Sequence, residues 1–263
     1  MLFDIIVGIL ISSFIAGLAY LKRSLTLDGF LTATLLGTII YSFGGITIWV
    51  VLIAFFISSS LLTKIHEKKD QSDSKGRNSI QVLSNGVVAS LFSILYYLFN
   101  LDILLLAAVV SIATSNSDTW ASEIGILSKG KTFHIVNWKI VPKGVSGAVS
   151  GLGTIASLLG ALFIGIVFVL LYGTQNGFNL EILLYYGFIV TLGGFMGCMM
   201  DSYLGALIQA KYRGVDSGKI TEKKWLPNEK VVLASGLAII NNDAVNLLSG
   251  FLSAILTVLL FVT

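Results

Sequence analysis

The chain has 263 residues, 55% of them hydrophobic and only 12% charged, with a formal net charge of +3 and a mean hydropathy of +0.89. A chain this apolar cannot hide its nonpolar surface in one water-soluble core, so it reads as a polytopic membrane protein, and its small positive charge fits basic loops against anionic lipid heads rather than a nucleic-acid partner. A single cysteine, Cys198, excludes a disulfide framework and a cysteine zinc site, and two histidines in separate loops, His66 and His134, offer no ready zincin or Ser/His/Asp triad.

Apolar stretches near the ~20 residues a span needs fall at about 3–21, 29–44, 46–63, 81–99, 102–117, 144–172, 182–201 and 243–262. They predict an all-α transmembrane bundle of about eight spans, one membrane-embedded domain over 1–263. The first stretch lacks a basic leader, carries Asp4 and is followed by Lys22 and Arg23, so it reads as a retained span and not a cleaved signal. All 17 Lys and Arg fall at 22–23, 64–77, 129–143 and 211–230, while the connections near Gly44-Gly45, 100–102 and 172–181 have none. Because cytoplasmic loops retain basic residues, this alternation predicts both termini outside and the four basic connections inside a prokaryotic cell membrane.

The 64–79 connection is charged and serine-rich, the signature of a solvated segment. At its end Arg77, Gln81 and Asn85 recur at i, i+4 and i+8, a polar stripe if a helix starts near Arg77. Such a stripe serves either interhelical hydrogen bonding or phosphate binding. Next comes the most chemical stretch of the chain, Ser117-Asp118-Thr119-Trp120-Ala121-Ser122-Glu123-Ile124-Gly125, where an apolar run leaves the membrane. The literal Walker A spacing from Gly125 to Thr132 follows a span end and precedes the β-leaning Phe133-His134-Ile135-Val136, so it lacks the strand and helix of a P-loop fold.

The run from Lys143 to Gly153 is expected to open the sixth span, offering an anion a basic residue and helix N-terminal amides, or supplying a Gly147/Gly151 packing seam. Asp201-Ser202-Tyr203 repeats the order of Asp118-Thr119-Trp120 at another span end, suggesting a weak parallel repeat of about 102–172 and 182–263. The final segment is broken by Asn241-Asn242-Asp243, which makes 231–240 an expected interfacial or re-entrant helix and puts Asp243 at the cytoplasmic surface.

Acids are costly inside a bilayer, yet Asp118, Glu123, Asp201 and Asp243 all fall near one membrane edge, ringed by Thr119, Ser122, Asn242 and Lys143. As a set they suit Mg²⁺ and a polyphosphate, since Mg²⁺ takes one or two carboxylates together with phosphate oxygens. Phosphoryl transfer to an acceptor that is already an anion requires alignment and cations but no strong base, in keeping with the scarcity of histidine.

The 117–125 motif, Val141-Pro142-Lys143-Gly144 with Gly147 and Ser150, Asp201-Ser202-Tyr203-Leu204-Gly205 through Gln209, and Asn242-Asp243-Ala244-Val245-Asn246 through Ser249, together with Arg77, Gln81, Asn85 and Gly86, resemble one family over nearly the whole chain. It is the integral membrane family that includes the plant phytyl-phosphate kinase of tocopherol synthesis, and it is distantly similar to phytol kinases, dolichol kinases and phosphatidate cytidylyltransferases. Lys143-Gly144-Val145-Ser146-Gly147 departs from the Gly-Thr-Asn-Gly-Gly type of turn expected of those enzymes.

The resemblance implies an isoprenoid-phosphate kinase that uses CTP or ATP and Mg²⁺ on a phytyl or polyprenyl monophosphate. The alternatives are a CTP-dependent lipid-phosphate cytidylyltransferase, and a transporter of a small anionic or lipid solute. In the kinase reading Asp118, Glu123 and Lys143 act in catalysis. Asp118, Glu123, Asp201 and Asp243 hold the metal. Arg77, Gln81, Asn85, Thr119, Ser122, Lys143, Gly144, Ser146, Gly147 and Asn242 contact nucleotide or phosphate.

Overall fold

The computed structural model describes residues 1–70, 76–227 and 229–261, with backbone alone at 66–70. The serine-rich centre of the 64–79 connection and the side chain of His66 lie outside the described residues. Seven helices carry the fold: α1 (Leu2–Leu21), α2 (Leu27–Asp70), α3 (Ser79–Phe99), α4 (Asp102–Gly125), α5 (Gly151–Asn176), α6 (Leu180–Leu207) and α7 (Asn242–Phe261). All seven are long and apolar enough to cross a membrane.

At 44 residues, α2 would run ~66 Å if straight, about twice a bilayer's hydrocarbon thickness. It breaks at Gly45, whose φ of 73° and ψ of −178° suit a residue without Cβ. The two arms then pass the same point on α1: the Trp49 indole donates to Ser12 Oγ at 3.0 Å, and a Cβ on Gly37 would stand 2.7 Å from that oxygen. The expected spans 29–44 and 46–63 are therefore two arms of one broken helix, giving eight membrane-crossing segments.

The described ends meet the same face of the bundle. Tyr97, near the end of α3, donates to Met1 Sδ at 3.7 Å, and the Phe261 ring packs 6.3 Å from that of Tyr185 near the start of α6. On this face Asp102 accepts from Tyr172 at 2.8 Å and from Tyr186 at 2.9 Å, tying α4 to α5 and α6. The opposite face carries the basic connections, with Lys64 Nζ bound to the Lys22 carbonyl at 2.8 Å and Lys211 Nζ to the Ser146 carbonyl at 3.3 Å.

Helix α4 is the axis of the bundle, buried without interruption from Leu104 to Ser117. Lipid gives no hydrophobic drive for helices to pair, so close packing and interhelical hydrogen bonds hold them, at ~0.6–2 kcal/mol for each bond. Ser58 of α2 donates to Asn116 Oδ1 at 2.8 Å, and Asn116 Nδ2 donates to the Gly160 carbonyl of α5 at 2.7 Å. Ser117 donates to the Ser157 carbonyl at 2.7 Å, and Thr114 shares a 2.9 Å bond with Ser253 of α7. Small residues let α6 close in: a Cβ at Gly197 would lie 2.1 Å from Thr114 Oγ1, and one at Gly194 2.6 Å from Ala113 Cβ.

Two small β excursions decorate the basic face of this helical bundle. After α4, β1 (Phe133–His134) pairs antiparallel with β2 (Ala148–Val149), His134 opposite Ala148. After α6, β3 (Lys211–Gly214) lies between β4 (Ile220–Thr221) and β5 (Val231–Ser235), antiparallel to both.

Two expectations are corrected here. Residues 231–240 form neither an interfacial nor a re-entrant helix: β5 occupies 231–235, and Leu237 and Ala210 amides close the following turn onto the Ile208 and Ile240 carbonyls. The sixth span opens at Gly151 and not near 144, because Gly144 (φ +77°) and Gly147 (φ +82°) turn the chain before Ser150 caps α5 by accepting from Gly153 N at 3.1 Å. Gly147 thus packs as a loop residue against Ala206 of α6 and forms no helical seam with Gly151.

Candidate functional site

Two polar cavities open side by side on the basic face, one of about 320 Å³ and one of about 350 Å³. Asp118, Ser122 and Asn242 line both and form their common wall. The first cavity lies between the end of α4, the 143–150 loop, the start of α5, and α6. The second lies between α2, α3, α4 and the start of α7.

Asp118 holds its place because the buried hydroxyls and amide just before it lock α4 in register against α2, α5 and α7. Its carboxylate accepts no hydrogen bond from the described side chains or backbone. Asp201 also lines the first cavity but is committed: Ser249 donates to its Oδ2 at 2.9 Å, and the Asn246 amide, turned with nitrogen toward it, donates at 3.1 Å. Glu123 and Asp243 belong to the second cavity, where Thr63 donates to Glu123 at 2.7 Å and Asn241 to Asp243 at 3.3 Å.

The four expected metal carboxylates divide between the two cavities. Asp118 and Asp201 share one cavity; Asp118, Glu123 and Asp243 share the next; among the described residues no three His, Cys, Asp or Glu side chains group as metal ligands. The donor set instead fits a divalent ion that brings most of its oxygen ligands as phosphate and takes one free carboxylate from the protein. Asp118 on the common wall is the carboxylate with that freedom.

One side of the first cavity is built by the 143–150 loop. Lys143 Nζ donates to the Ser128 carbonyl and reaches the Ile126 carbonyl at 3.5 Å, pinning the loop to the end of α4. Gly144, Ser146 and Gly147 line the cavity with Ser150, Gly153 and Thr154, the Gly153 and Thr154 amides being spent on the Ser150 hydroxyl and carbonyl, so the positive end of α5 lies at its wall. Gln209, only 2% exposed, accepts from Ser146 at 3.1 Å, and its amide nitrogen, in no close hydrogen bond among the described residues, lines the cavity on the side of the Glu222 carboxyl. At the rim, burial pushes the Glu222 carboxyl up, opposed by the Gln209 amide and the Lys211 ammonium; burial lowers Lys211, opposed by Glu222.

The second cavity gathers Arg23, Lys64 and Arg77 with Gln81 and Asn85. Arg77 is placed by backbone: its N–H donates to the Ser24 carbonyl and its carbonyl accepts from Thr26 N, each at 3.0 Å. Gly29 permits this approach, because a Cβ there would meet the Arg77 carbonyl at 2.2 Å. Arg77 precedes the helix and does not begin it. Asn78 is the cap and Gln81 completes a capping box, its side-chain oxygen accepting from Asn78 N at 3.1 Å. Asn85 donates to the Gln81 carbonyl at 2.8 Å. Thr119 and Ser122 line the second cavity, each with its proton on an α4 carbonyl, Ser115 at 2.9 Å and Thr119 at 3.0 Å, leaving lone pairs as their offering.

Sequence reasoning did not assign Arg23, Lys64, Gln209, Glu222 or Asn246 to the site. Asn246 carried a signal, since it stands three residues after Asp243 and four after Asn242 on one helix face. Gln209 and Glu222 carried none locally, because chain closure through β3 to β5 brings them to the cavity.

Comparison with known proteins agrees with the membrane fold. An uncharacterized membrane protein of Methanocaldococcus jannaschii is 31% identical over 265 residues, covering 100% of this chain and 96% of that one. Protein PGR of Arabidopsis thaliana is 30% identical over 286 residues, covering 98% of each. The chloroplastic Protein VTE6 of the same plant is 31% identical over 168 residues, 59% of this chain and 50% of its own. No solved structure gives a significant match. The profile of integral membrane protein DUF92 matches residues 10–254, and the chain belongs to that family.

Proposed function

We propose that the protein is an isoprenoid-phosphate kinase, moving the γ-phosphoryl group of CTP or ATP onto a phytyl or polyprenyl monophosphate, in a prokaryotic cell membrane with both cavities toward the cytoplasm. The observation that carries the reading is the uncommitted Asp118 carboxylate on the wall between two cation-lined cavities. Two phosphate-bearing substrates meeting at one acid is the arrangement that phosphoryl transfer needs and that hydrolysis does not. Similarity to Protein VTE6 and to the family of the plant phytyl-phosphate kinase supports the isoprenoid acceptor.

In this reading the triphosphate occupies the first cavity, against the positive end of α5, Ser146 and Lys143, and the acceptor phosphate occupies the second, against Arg77. An acceptor oxygen forms the new P–O bond as the β–γ bridging bond breaks, and the electron pair leaves with the nucleoside diphosphate. The acceptor enters as an anion, so no side chain has to remove its proton. Asp118 and Glu123 orient the reacting phosphates from α4, and Asp201, held by Ser249 and Asn246, keeps the far wall in place. When bound, Mg²⁺ supplies neutralisation of the phosphate oxygens beside Asp118.

The test is product identity. Purified protein in lipid nanodiscs is given phytyl monophosphate, Mg²⁺, and CTP or ATP labelled at the α or γ position. The kinase reading expects γ label in a lipid diphosphate and release of nucleoside diphosphate. Transfer of the α label into a CDP-lipid with pyrophosphate release replaces it with the cytidylyltransferase reading, and an unlabelled lipid with every nucleotide refutes it.

A further inference from the structure

A third cavity, small and apolar, lies between α1, the two arms of α2 and α3, with a volume of about 70 Å³ beside the 320 and 350 Å³ of the polar pair. Its walls are aliphatic and aromatic, and along the second arm of α2 they run from Trp49 to Phe56, a depth of ~10 Å at the helical rise. The floor is closed by the Trp49–Ser12 hydrogen bond of 3.0 Å. Its other end is not apolar: Arg77, Gln81 and Asn85 line this cavity and the second polar cavity alike. The Arg77 guanidinium stands at the junction, 5.7 Å from the Phe55 ring centre and 5.9 Å from that of Phe56, and among the described residues it is not salt-bridged.

A half-buried guanidinium held between aromatic rings, open to an apolar channel on one side and a cation-lined polar cavity on the other, matches a molecule with a phosphate head and a hydrocarbon tail. We propose that the α1–α2–α3 cavity seats the hydrocarbon chain of a lipid monophosphate whose phosphate rests on Arg77. This rests on the acceptor half of the proposed function and adds where the acceptor lies. Gly86 lets α3 approach the first arm of α2 at the cavity wall, where a Cβ would come within 2.9 Å of Leu36 Cδ1.

The experiment reads binding without nucleotide, so it stands whether or not the protein transfers phosphate. Phytyl monophosphate carrying a diazirine at the far end of its chain is photolysed with the full chain in nanodiscs, and the labelled peptides are sequenced. Affinity is measured in parallel for the wild type, Ala33→Trp, Arg77→Ala and Arg77→Lys, with the thermal unfolding midpoint as the folding control. The expected result is label on α1, α2 or α3. Ala33→Trp should weaken phytyl monophosphate binding at least about 10-fold by filling the channel and keep a cooperative thermal unfolding transition. Arg77→Ala should erase the preference for phytyl monophosphate over phytol, and Arg77→Lys should restore part of it. Label on α5, α6 or α7, or full affinity in both Ala33→Trp and Arg77→Ala, overturns the assignment.

Discussion

Gly144 and Gly147 share a backbone conformation but not a packing environment, which makes their alanine variants a matched test of the 143–150 loop. At Gly147 (φ +82°) a new Cβ would stand 2.5 Å from Ala206 Cβ and 3.0 Å from its Cα, and neither atom is the end of a flexible side chain. Left-handed strain of ~1–2 kcal/mol and overpacking of ~1–3 kcal/mol then add to roughly 2–5 kcal/mol. At Gly144 (φ +77°) nothing lies within 4 Å of the new Cβ, so the strain acts alone. Gly147→Ala should therefore be ~1–3 kcal/mol less stable than Gly144→Ala, the overpacking share, in tryptophan-monitored unfolding in mixed micelles. It should also weaken CTP binding, because Ser146, bonded to Gln209 at 3.1 Å, must move with the loop. Equal stability of the two variants would mean that the loop does not lean on α6 as described.

Asp118→Asn keeps the size of the side chain but removes its charge, and should lower transfer to phytyl monophosphate by at least ~100-fold with folding intact; undiminished turnover in a labelled-nucleotide assay contradicts the role. Ser249→Ala removes a donor from buried Asp201 and should cost ~0.6–2 kcal/mol of unfolding free energy, against no change if that bond is idle. Burial raises the Glu222 pKa, so the folded state holds its proton longer than the unfolded chain and stability falls as pH climbs from the ordinary carboxylate value to the raised one. Glu222→Gln should flatten that part of the profile, and an unchanged slope refutes it. In a Cys198→Ala background, Lys139→Cys should resist impermeant thiol reagents in intact cells while Asn176→Cys reacts; the reverse pattern overturns the positive-inside orientation.

The membrane spans were legible because each is a long apolar run bounded by charge, and Gly44-Gly45 marked the break in α2 before its conformation was known. Asp118 was legible for the same reason: it is the first acid after a run that must be buried. The misread segments are those where tertiary closure overrides a local pattern. Val231 and Val232 continue an apolar run toward α7, yet pairing with β3 makes them strand, a role their β-branching suits. In the 143–153 run, Ser146, Ser150, Gly147 and Gly151 repeat every four residues as in a packed helix, but positive φ at Gly144 and Gly147 breaks that period. The division of the acids between two cavities depends on where α7 docks, which no window of sequence contains.

In the proposed kinase Asp118 stands between two phosphate sites and would hold a metal shared by both. Mn²⁺ in place of Mg²⁺ makes this measurable by electron–nuclear double resonance, with a non-hydrolysable γ-imido nucleotide and phytyl monophosphate bound together in nanodiscs. The account predicts phosphorus couplings from the nucleotide and from the lipid phosphate in one spectrum, both lost or sharply reduced in Asp118→Asn. Couplings that persist unchanged in Asp118→Asn, or a metal that never senses the lipid phosphate, contradict it.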